Sequence, residues 1–276
     1  MLRFLYDTIP GRILLRPLVS RPVSRMCGRF LDTGISTGLI RPFVRFHSMN
    51  LSDYDLRDIH SFNDFFCRRL RPGKRVIDPE PQHLIAPCDG LLRAYPIRNG
   101  LVVPVKESRF DIASLLQSRK LAARYDGGIC VVFRLCVDNY HRYCYVDSGV
   151  KTGNRFLPGK LHTVRPIALR RVPVFAENCR EYTLIRTKQH GTLLQMEVGA
   201  LFVGRIQNLH GAGACERGQE KGRFLYGGST VIVLLQRDTA RLFPQYFRTD
   251  GREMPVRMGQ AIGTYLSDDT STTNIN

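Results

Sequence analysis

The middle and later parts of the sequence contain a series of short apolar segments rich in β-branched residues. Glycine or charged turns separate them, which is typical of strands rather than of core helices. The predicted strands are 129–137, 182–186, 193–198, 201–206 and 230–235. Helical periodicity is scarce after residue 75, apart from a short stretch at 112–119. Residues 71–276 are therefore predicted to form a β-rich, largely antiparallel domain in an α+β fold.

Residues 1–70 are predicted to be helical and basic. The first fifty residues contain eight arginines, no lysine and only two acidic residues. Apolar residues recur at helical spacing, and they are Leu2, Leu5, Tyr6 and Ile9 in one stretch and Val23, Met26, Cys27, Phe30 and Leu31 in the next. Pro10, Pro17 and Pro22 are expected to divide this region into short helices. Another helix is predicted over 62–70, with Ser61 as its N-cap.

Two interpretations of the basic amphipathic segment stay open. It either packs on its own domain with its arginines in solvent, or it lies in a lipid headgroup layer with its arginines on anionic phosphates. A mitochondrial presequence has a similar composition. The formal net charge of +17 favours an acidic partner, such as nucleic acid, an anionic membrane surface or an acidic substrate. No apolar run approaches the roughly 18 residues of a transmembrane helix.

The eight cysteines are scattered singly along the sequence. Since no CxxC pair or metal-ligand spacing to histidine occurs, no metal site is predicted. The sequence also lacks the features of a signal peptide, so the cysteines are interpreted as reduced thiols in the cytosol.

Residues 221–235, KGRFLYGGSTVIVLL, permit two interpretations. A glycine turn that leads into a core strand explains the pattern structurally. Alternatively, Ser229 attacks the preceding peptide carbonyl, because Gly228 has no side chain in the way and Thr230 donates a hydrogen bond to the developing oxyanion. Elimination from the resulting ester leaves a pyruvoyl group, and this chemistry needs a nearby base. The spacing of a phosphate-binding loop is absent.

Ordered motifs between about residue 62 and residue 235 resemble those of the pyruvoyl-dependent phosphatidylserine decarboxylases. They are FNDFFCRRLRPGKRVID (62–78), APCDG (86–90), RLCVDNYHRY (134–143), PGKLHTVRPIAL (158–169), ENCREYTLI (177–185), MEVGALFVGRI (196–206) and GGST (227–230). In the fourth of these motifs Arg165 replaces the usual asparagine.

The resemblance implies self-cleavage between Gly228 and Ser229, with a β chain of residues 1–228 and an α chain of residues 229–276. Ser229 would become the pyruvoyl cofactor, which forms a Schiff base with phosphatidylserine and releases CO2 and phosphatidylethanolamine. Asp89 matches the charge-relay aspartate of the family; its structural alternative is an Asx turn before Gly90. The resemblance also implies a heterodimer of the two chains, open to further dimerisation, at the cytoplasmic side of the cell membrane.

The sequence departs from the family at the histidine motif. The usual pattern is Y-H-R-x-H, whose second histidine is generally the maturation base, but this sequence has Cys144 there. His141 is the favoured base because an ordinary imidazole is mostly unprotonated at neutral pH. His162 and a Cys144 thiolate are the alternatives. A further alternative is an uncleaved, inactive homologue.

Two other function classes are compatible with some features of the sequence. A nucleic-acid-binding module fits the charge, but the basic residues are dispersed and no RNA-binding fingerprint occurs, so no nucleic-acid partner is predicted. A pyruvoyl-dependent decarboxylase of a soluble amino acid would share the maturation chemistry.

Arg142 is a candidate for binding the substrate phosphate.

Overall fold

The computed structural model describes residues 2–102, 110–200, 205–227, 229–247, 250 and 252–266. Its helices are short. The α-helices are α1 (Leu2–Asp7), α2 (Ile9–Leu18), α3 (Arg21–Leu31), α4 (Ile40–Phe46), α5 (Phe62–Phe66), α6 (Ile112–Leu116), α7 (Arg119–Ala122), α8 (Pro166–Leu169) and α9 (Val174–Glu177). Turns of 3₁₀ helix occur at Gly34–Leu39, Ala123–Tyr125 and Pro244–Tyr246.

Two of the three prolines of the N-terminal segment mark helix starts as predicted, whereas the predicted break at Pro17 is wrong. Pro10 and Pro22 lie in the first turns of α2 and α3, where a missing amide hydrogen costs no helical hydrogen bond. Pro17 instead lies within α2, close to its end. The hydroxyl of Thr8 caps α2 by accepting a hydrogen bond from the Gly11 amide at 3.0 Å.

Strands dominate the rest of the chain. They are β1 (Tyr54–Asp55), β2 (Arg69–Leu70), β3 (His83–Ile85), β4 (Gly90–Pro96), β5 (Leu101–Val102), β6 (Phe110–Asp111), β7 (Ile129–Leu135), β8 (Arg142–Cys144), β9 (Gly149–Lys151), β10 (Arg155–Leu157), β11 (Arg180–Arg186), β12 (Thr192–Val198), β13 (Ile206–Asn208), β14 (Gly213–Cys215), β15 (Glu220–Phe224), β16 (Ser229–Leu235), β17 (Ala240–Leu242), β18 (Met254–Val256) and β19 (Ala261–Tyr265).

The main sheet is antiparallel, and its strand order is β14-β9-β11-β12-β16-β7-β4-β18, with β10 also paired to β11. A smaller antiparallel sheet has the order β13-β15-β8. The prediction of an α+β fold with a largely antiparallel core is confirmed.

The two faces of the main sheet contribute to different parts of the core. Along β16, Ile232 and Leu234 belong to a cluster that includes Leu5, Tyr6 and other residues of the N-terminal helices. Val231, Val233 and Leu235 alternate with them and belong to a second cluster. Because α1 and α2 bury apolar residues in the first cluster, the helical segment shares its core with the β domain.

The predicted helix over 62–70 is too long. Helix α5 ends at Phe66, and Arg69–Leu70 pairs with Tyr54–Asp55 as a short antiparallel ladder. Arg68 lies fully buried over the ring of Tyr54. These tertiary contacts outweigh the helical spacing of the phenylalanines. Of the strand predicted over 201–206, residues 201–204 lie outside the described residues, and Ile206 begins β13.

Candidate active site

Three neighbouring strands of the main sheet, β4, β7 and β16, bring sequence motifs that resemble those of the family to one end of the sheet. Strand β16 begins at Ser229, which pairs with Leu135 at the end of β7. On the other side of β7, β4 begins at Gly90. A Cβ at residue 90 would lie 2.8 Å from the carbonyl oxygen of Arg134, so only glycine allows this close approach. Since adjacent strands lie about 4.8 Å apart, Ser229 and the segment at Asp89 are separated by about 10 Å of sheet.

Ser229 and Thr230 are both fully buried. By strand alternation their side chains point to opposite faces of the sheet, Ser229 towards the face of Val231 and Thr230 towards the face of Ile232. Ser229 Oγ and Thr230 Oγ1 have no hydrogen-bond partner among the described residues. Two buried hydroxyls without partners are costly in a folded core, and such groups are typical of functional sites. Gly228, the other residue of the predicted cleavage site, lies outside the described residues.

His141 is held near the segment that leads to Ser229. Its carbonyl oxygen accepts a hydrogen bond from the amide of Phe224 at 2.9 Å, and its ring stacks on Phe66 with centroids 3.9 Å apart. Phe66 in turn contacts the ring of Tyr226. The backbone of His141 is therefore bonded to the end of β15, and Phe66 lies between its ring and the turn that follows.

The hydrogen bonds of His141 define its tautomer. Its Nδ1 lies 2.9 Å from the carbonyl oxygen of Asn139, which can only accept, so Nδ1 carries the hydrogen. Nε2 then has a free lone pair, and this buried atom has no partner in the described part of the chain. Burial, together with the nearby charge of Arg68, lowers the pKa of His141 from 6.5 to about 3. The imidazole is thus neutral at physiological pH, with an unpaired acceptor atom.

Among the described residues, Asp89 makes no hydrogen bond or ion pair with a histidine. Its two oxygens bind the Arg75 guanidinium, at 2.9 Å from Nε and 2.5 Å from Nη2, and Oδ1 also accepts the amide hydrogen of Met258. The carboxylate is nearly buried, as is Arg75. None of these bonds is the Asx turn weighed from the sequence, in which Asp89 would bind an amide two residues on. Sequence reasoning overlooked Arg75, although it lies within the first family motif.

Cys144 is fully buried in β8. Burial raises the pKa of its thiol to about 12. The thiol therefore stays protonated at neutral pH, and a protonated thiol cannot accept a proton from Ser229.

His162 lies on the side of the N-terminal helices. Its Nδ1 is 3.2 Å from the hydroxyl of Tyr6, and its Nε2 is 3.7 Å from Glu177 Oε2. Asn178 holds the backbone of residue 162 on both its amide and its carbonyl. Tyr6 belongs to the cluster on the Ile232 face of the sheet, whereas Ser229 points to the Val231 face. His162 therefore lies on the opposite face of the sheet from Ser229, whereas the backbone of His141 is bonded to Phe224, a residue of the cluster on the Ser229 face.

Sequence reasoning missed a fully buried ion pair on the face to which Ser229 points. Lys221 Nζ lies 2.6 Å from Glu197 Oε2 and 2.7 Å from Asn208 Oδ1. Glu197 pairs with Val231, two residues along β16 from Ser229. The alternation of Gln195 and Glu197 in an otherwise apolar strand was the available signal, because it places two polar side chains on one buried face.

Arg142 is engaged by the protein itself. Its guanidinium donates to the carbonyl oxygen of Cys67 at 2.8 Å and to Glu220 Oε1 at 2.7 Å. It also lines a cavity of about 210 Å³ together with Arg68 and Arg223. Within the described ranges, no group of three or more His, Cys, Asp or Glu side chains is arranged to hold a metal ion.

Comparison with known proteins shows to which family the chain belongs. The family model for phosphatidylserine decarboxylase matches residues 62–264. The chain is 39% identical to phosphatidylserine decarboxylase proenzyme 2 of Clostridium acetobutylicum over 95% of this chain and 91% of that protein. It is 34% identical to the phosphatidylserine decarboxylase proenzyme of Ruminiclostridium cellulolyticum, over 98% and 93%, and 36% identical to that of Desulfitobacterium hafniense, over 95% and 91%. With a match that spans the main sheet and every candidate residue, the chain belongs to the phosphatidylserine decarboxylase family of carboxy-lyases.

Proposed function

We propose that this protein decarboxylates phosphatidylserine to phosphatidylethanolamine and CO2, with a pyruvoyl group made from Ser229 by self-cleavage. The observation that carries the proposal is the buried Oγ of Ser229, which begins a strand in the family's GGST motif and lacks a partner in the described structure. A hydroxyl without a hydrogen-bond partner is free to act as a nucleophile once a base removes its proton.

The maturation step balances as an internal rearrangement followed by elimination. Ser229 Oγ attacks the carbonyl carbon of residue 228, the C–N bond breaks, and an ester replaces the peptide bond. Loss of the Cα proton of residue 229 then expels the ester as a carboxylate, which ends a β chain of residues 1–228. The remaining enamine isomerises and reacts with water, ammonia leaves, and the α chain of residues 229–276 begins with a ketone.

His141 is the proposed base. Its neutral ring, its fixed tautomer and its unpaired Nε2 meet the requirements of a proton acceptor. Its low pKa makes it a weak base, but the proposed maturation needs it to accept a proton only once per chain. His162 is the second candidate for the base. It lies on the opposite face of the main sheet from Ser229 and would have to change its position to accept the proton. Asp89 is proposed to act as the acidic member of the site, with Arg75 fixing its orientation.

The pyruvoyl ketone supplies a carbonyl that binds the substrate amine and withdraws electrons as CO2 leaves. The buried position of residue 229 fits this group, since exclusion of water protects a reactive ketone. Arg142 stays the candidate for the substrate phosphate; the cavity that it lines contains four arginines and three aspartates, so its net charge is only slightly positive.

We also propose that residues 1–70 contact an anionic membrane and that the enzyme is peripheral to the cytoplasmic side of the cell membrane. Large apolar side chains are exposed in this segment, and they include Phe4, Ile9, Ile13, Leu14, Met26, Phe30, Ile35 and Phe46. Exposed arginines lie among them. That combination is typical of interfacial helices. None of the helices in the described ranges is long and apolar enough to span a bilayer.

The test is intact-mass spectrometry of the purified protein with an assay of the lipid product. We expect two chains that separate between residues 228 and 229, a 48-residue α chain with a blocked, pyruvoyl-sized N-terminus, and phosphatidylethanolamine as product. The two chains should remain together as a heterodimer under native conditions. Ser229→Ala should yield one full-length chain.

Other results would assign a different function. A matured enzyme that releases CO2 from free serine or an aromatic amino acid, but not from phosphatidylserine, would be a decarboxylase of soluble amino acids. A single unprocessed chain without activity would be an inactive homologue. A fully active preparation that remains one chain would disprove the Ser229 chemistry.

A further inference from the structure

A cavity of about 710 Å³ lies between the N-terminal helices and the segment 160–172, away from the Oγ of Ser229. Its volume is within the range of small-molecule sites. The charged side chains that line it are Arg12, Arg16, Lys160, Arg171 and Asp7. Four positive groups against one negative group favour an anionic ligand.

The arginines of the cavity differ in their existing contacts. Arg171 is bonded to Asp7, and Lys160 is bonded to Glu177. Arg12 and Arg16, one turn apart on α2, are exposed, and their side chains make no ion pair or hydrogen bond within the described part of the chain. Two guanidinium groups at i and i+4 on one helix face can contact the same anion.

His162 provides an independent sign of a ligand. The hydroxyl of Tyr6 accepts the amide hydrogen of Thr163 at 3.2 Å and lies 3.2 Å from His162 Nδ1. Nε2 faces the Glu177 carboxylate at 3.7 Å, beyond hydrogen-bond length, and because a carboxylate only accepts, we assign the hydrogen of the neutral imidazole to Nε2. The side chain of His162 is more than nine-tenths buried, and Nε2 has no hydrogen-bond partner among the residues described. The cavity wall therefore contains an unused donor.

Apolar surface continues from the cavity. Leu15 and Val19 form part of its lining, while Ile9 and Ile13 of the same helix are exposed. A ligand that fits this surface carries its negative charge next to apolar groups, as a phospholipid does at the boundary of headgroups and acyl chains.

We propose that this cavity binds the phosphodiester group of a glycerophospholipid, with Arg12 and Arg16 on the phosphate and His162 Nε2 donating to it from the inner wall. The choice of a lipid rests on the proposed function, whereas the binding itself does not require decarboxylation. The site is separate from the Ser229 chemistry and belongs to the opposite face of the main sheet.

The test uses the full-length Ser229→Ala protein, in which no self-cleavage or turnover is expected. The probe is dihexanoyl phosphatidylglycerol below its micelle concentration, because a monomeric lipid measures a site rather than attraction to a surface. Isothermal titration calorimetry should give saturable binding near one lipid per chain. The double variant Arg12→Gln/Arg16→Gln should bind at least about tenfold more weakly, because two arginine contacts to a phosphate are lost.

The matched control is Arg25→Gln/Arg29→Gln, which removes the same charge from exposed positions of α3 that do not line the cavity. Its affinity should stay within about twofold of the parent protein. A lipid-dependent shift of the His162 ring signals in NMR spectra should accompany binding. Absence of saturable binding, or equal weakening in both double variants, would overturn the proposal.

A competition experiment distinguishes the sources of the phosphodiester. If dihexanoyl phosphatidylserine displaces phosphatidylglycerol one for one, the cavity accepts the phosphodiester of the substrate lipid as well as that of other lipids. If it binds without displacing phosphatidylglycerol, the cavity holds a second lipid of the membrane. If the proposed decarboxylase function is wrong, lipid binding to the cavity should still be measured. Matured wild-type protein would then not convert phosphatidylserine.

Discussion

Arg75 and Asp89 form a nearly buried two-point ion pair at the end of the sheet where Ser229 begins β16. The guanidinium fixes both carboxylate oxygens, and the Met258 amide adds a third hydrogen bond to Oδ1. The pair therefore defines the orientation of Asp89 before any substrate is bound. A substitution of Asp89 therefore affects both the stability of the fold and any role of its carboxylate in processing, so these two effects must be measured separately.

The first prediction separates these two roles. Arg75→Gln leaves the Asp89 carboxylate without its ion-pair partner and should lower the free energy of unfolding by about 3–5 kcal/mol, whereas Asp89→Asn leaves Arg75 with the Asp53 carboxylate at 3.4 Å and should cost less. The double variant removes both charges and should recover much of that loss. If Asp89 is the acidic member of the site, the double variant should still process itself at least about 100-fold more slowly than the parent.

Urea unfolding in the Ser229→Ala background measures the stabilities, and gel-based cleavage kinetics measure processing. Cleavage of the double variant at the parental rate would assign Asp89 a structural role alone.

A second prediction concerns Cys144. Because burial raises the pKa of its thiol to about 12, the thiol should take no part in proton transfer. Cys144→Ala should therefore process itself within a few-fold of the parent rate, at a cost of about 1 kcal/mol in stability for the small cavity. Cys144→His should destabilise the protein by about 1–3 kcal/mol, since a larger ring must enter a filled core. A folded Cys144→Ala protein that stays uncleaved would identify Cys144 as the base.

Features that depend on neighbouring residues could be predicted from the sequence, whereas features that depend on contacts between residues far apart in the chain could not. The strand at 230–235 and the helix starts near Pro10 and Pro22 follow from local patterns, and the structure confirms them. The end of α5 does not, because Arg69–Leu70 pairs with a distant strand and Arg68 packs on Tyr54. Local periodicity carries no information about such contacts.

The candidate site shows the same division. Motifs identify Asp89, His141 and Ser229, but no pattern indicates that Asp89 binds Arg75 or that Asn139 sets the tautomer of His141. These partners depend on how loops meet at the end of the sheet, which only the folded chain defines.

The third prediction is a pH dependence caused by His141. Its pKa is about 3 in the folded protein and 6.5 in the unfolded chain, so between these values only the unfolded chain binds the proton. Stability from this group is complete above pH 6.5 and falls as the pH is lowered towards 3. In the Ser229→Ala background, lowering the pH from 7 to 5 should reduce the free energy of unfolding by about 2 kcal/mol more than in the His141→Gln variant.

Urea unfolding at pH 7, 6 and 5 measures this difference. Phe66→Leu serves as the control, because it loosens the packing around the ring but leaves the imidazole in place. It should lower stability at every pH and retain most of the pH dependence. Identical pH profiles for the parent and His141→Gln would contradict the prediction, because they would show that the ring has the same pKa in the folded protein as in the unfolded chain.

The last prediction concerns the buried Lys221–Glu197 ion pair. Neither side chain has access to solvent, and Lys221 is also bonded to Asn208. Lys221→Met leaves the Glu197 carboxylate uncompensated and should cost about 3–5 kcal/mol, as should Glu197→Leu for the lysine. The double variant replaces the pair by apolar groups of similar size and should recover most of this loss, because both desolvation costs disappear together. If the ion pair only stabilises the core, the double variant should also process itself at the parental rate. Loss of processing in a stable double variant would instead show that the ion pair takes part in the reaction of Ser229, whose side chain points to the same face of the sheet.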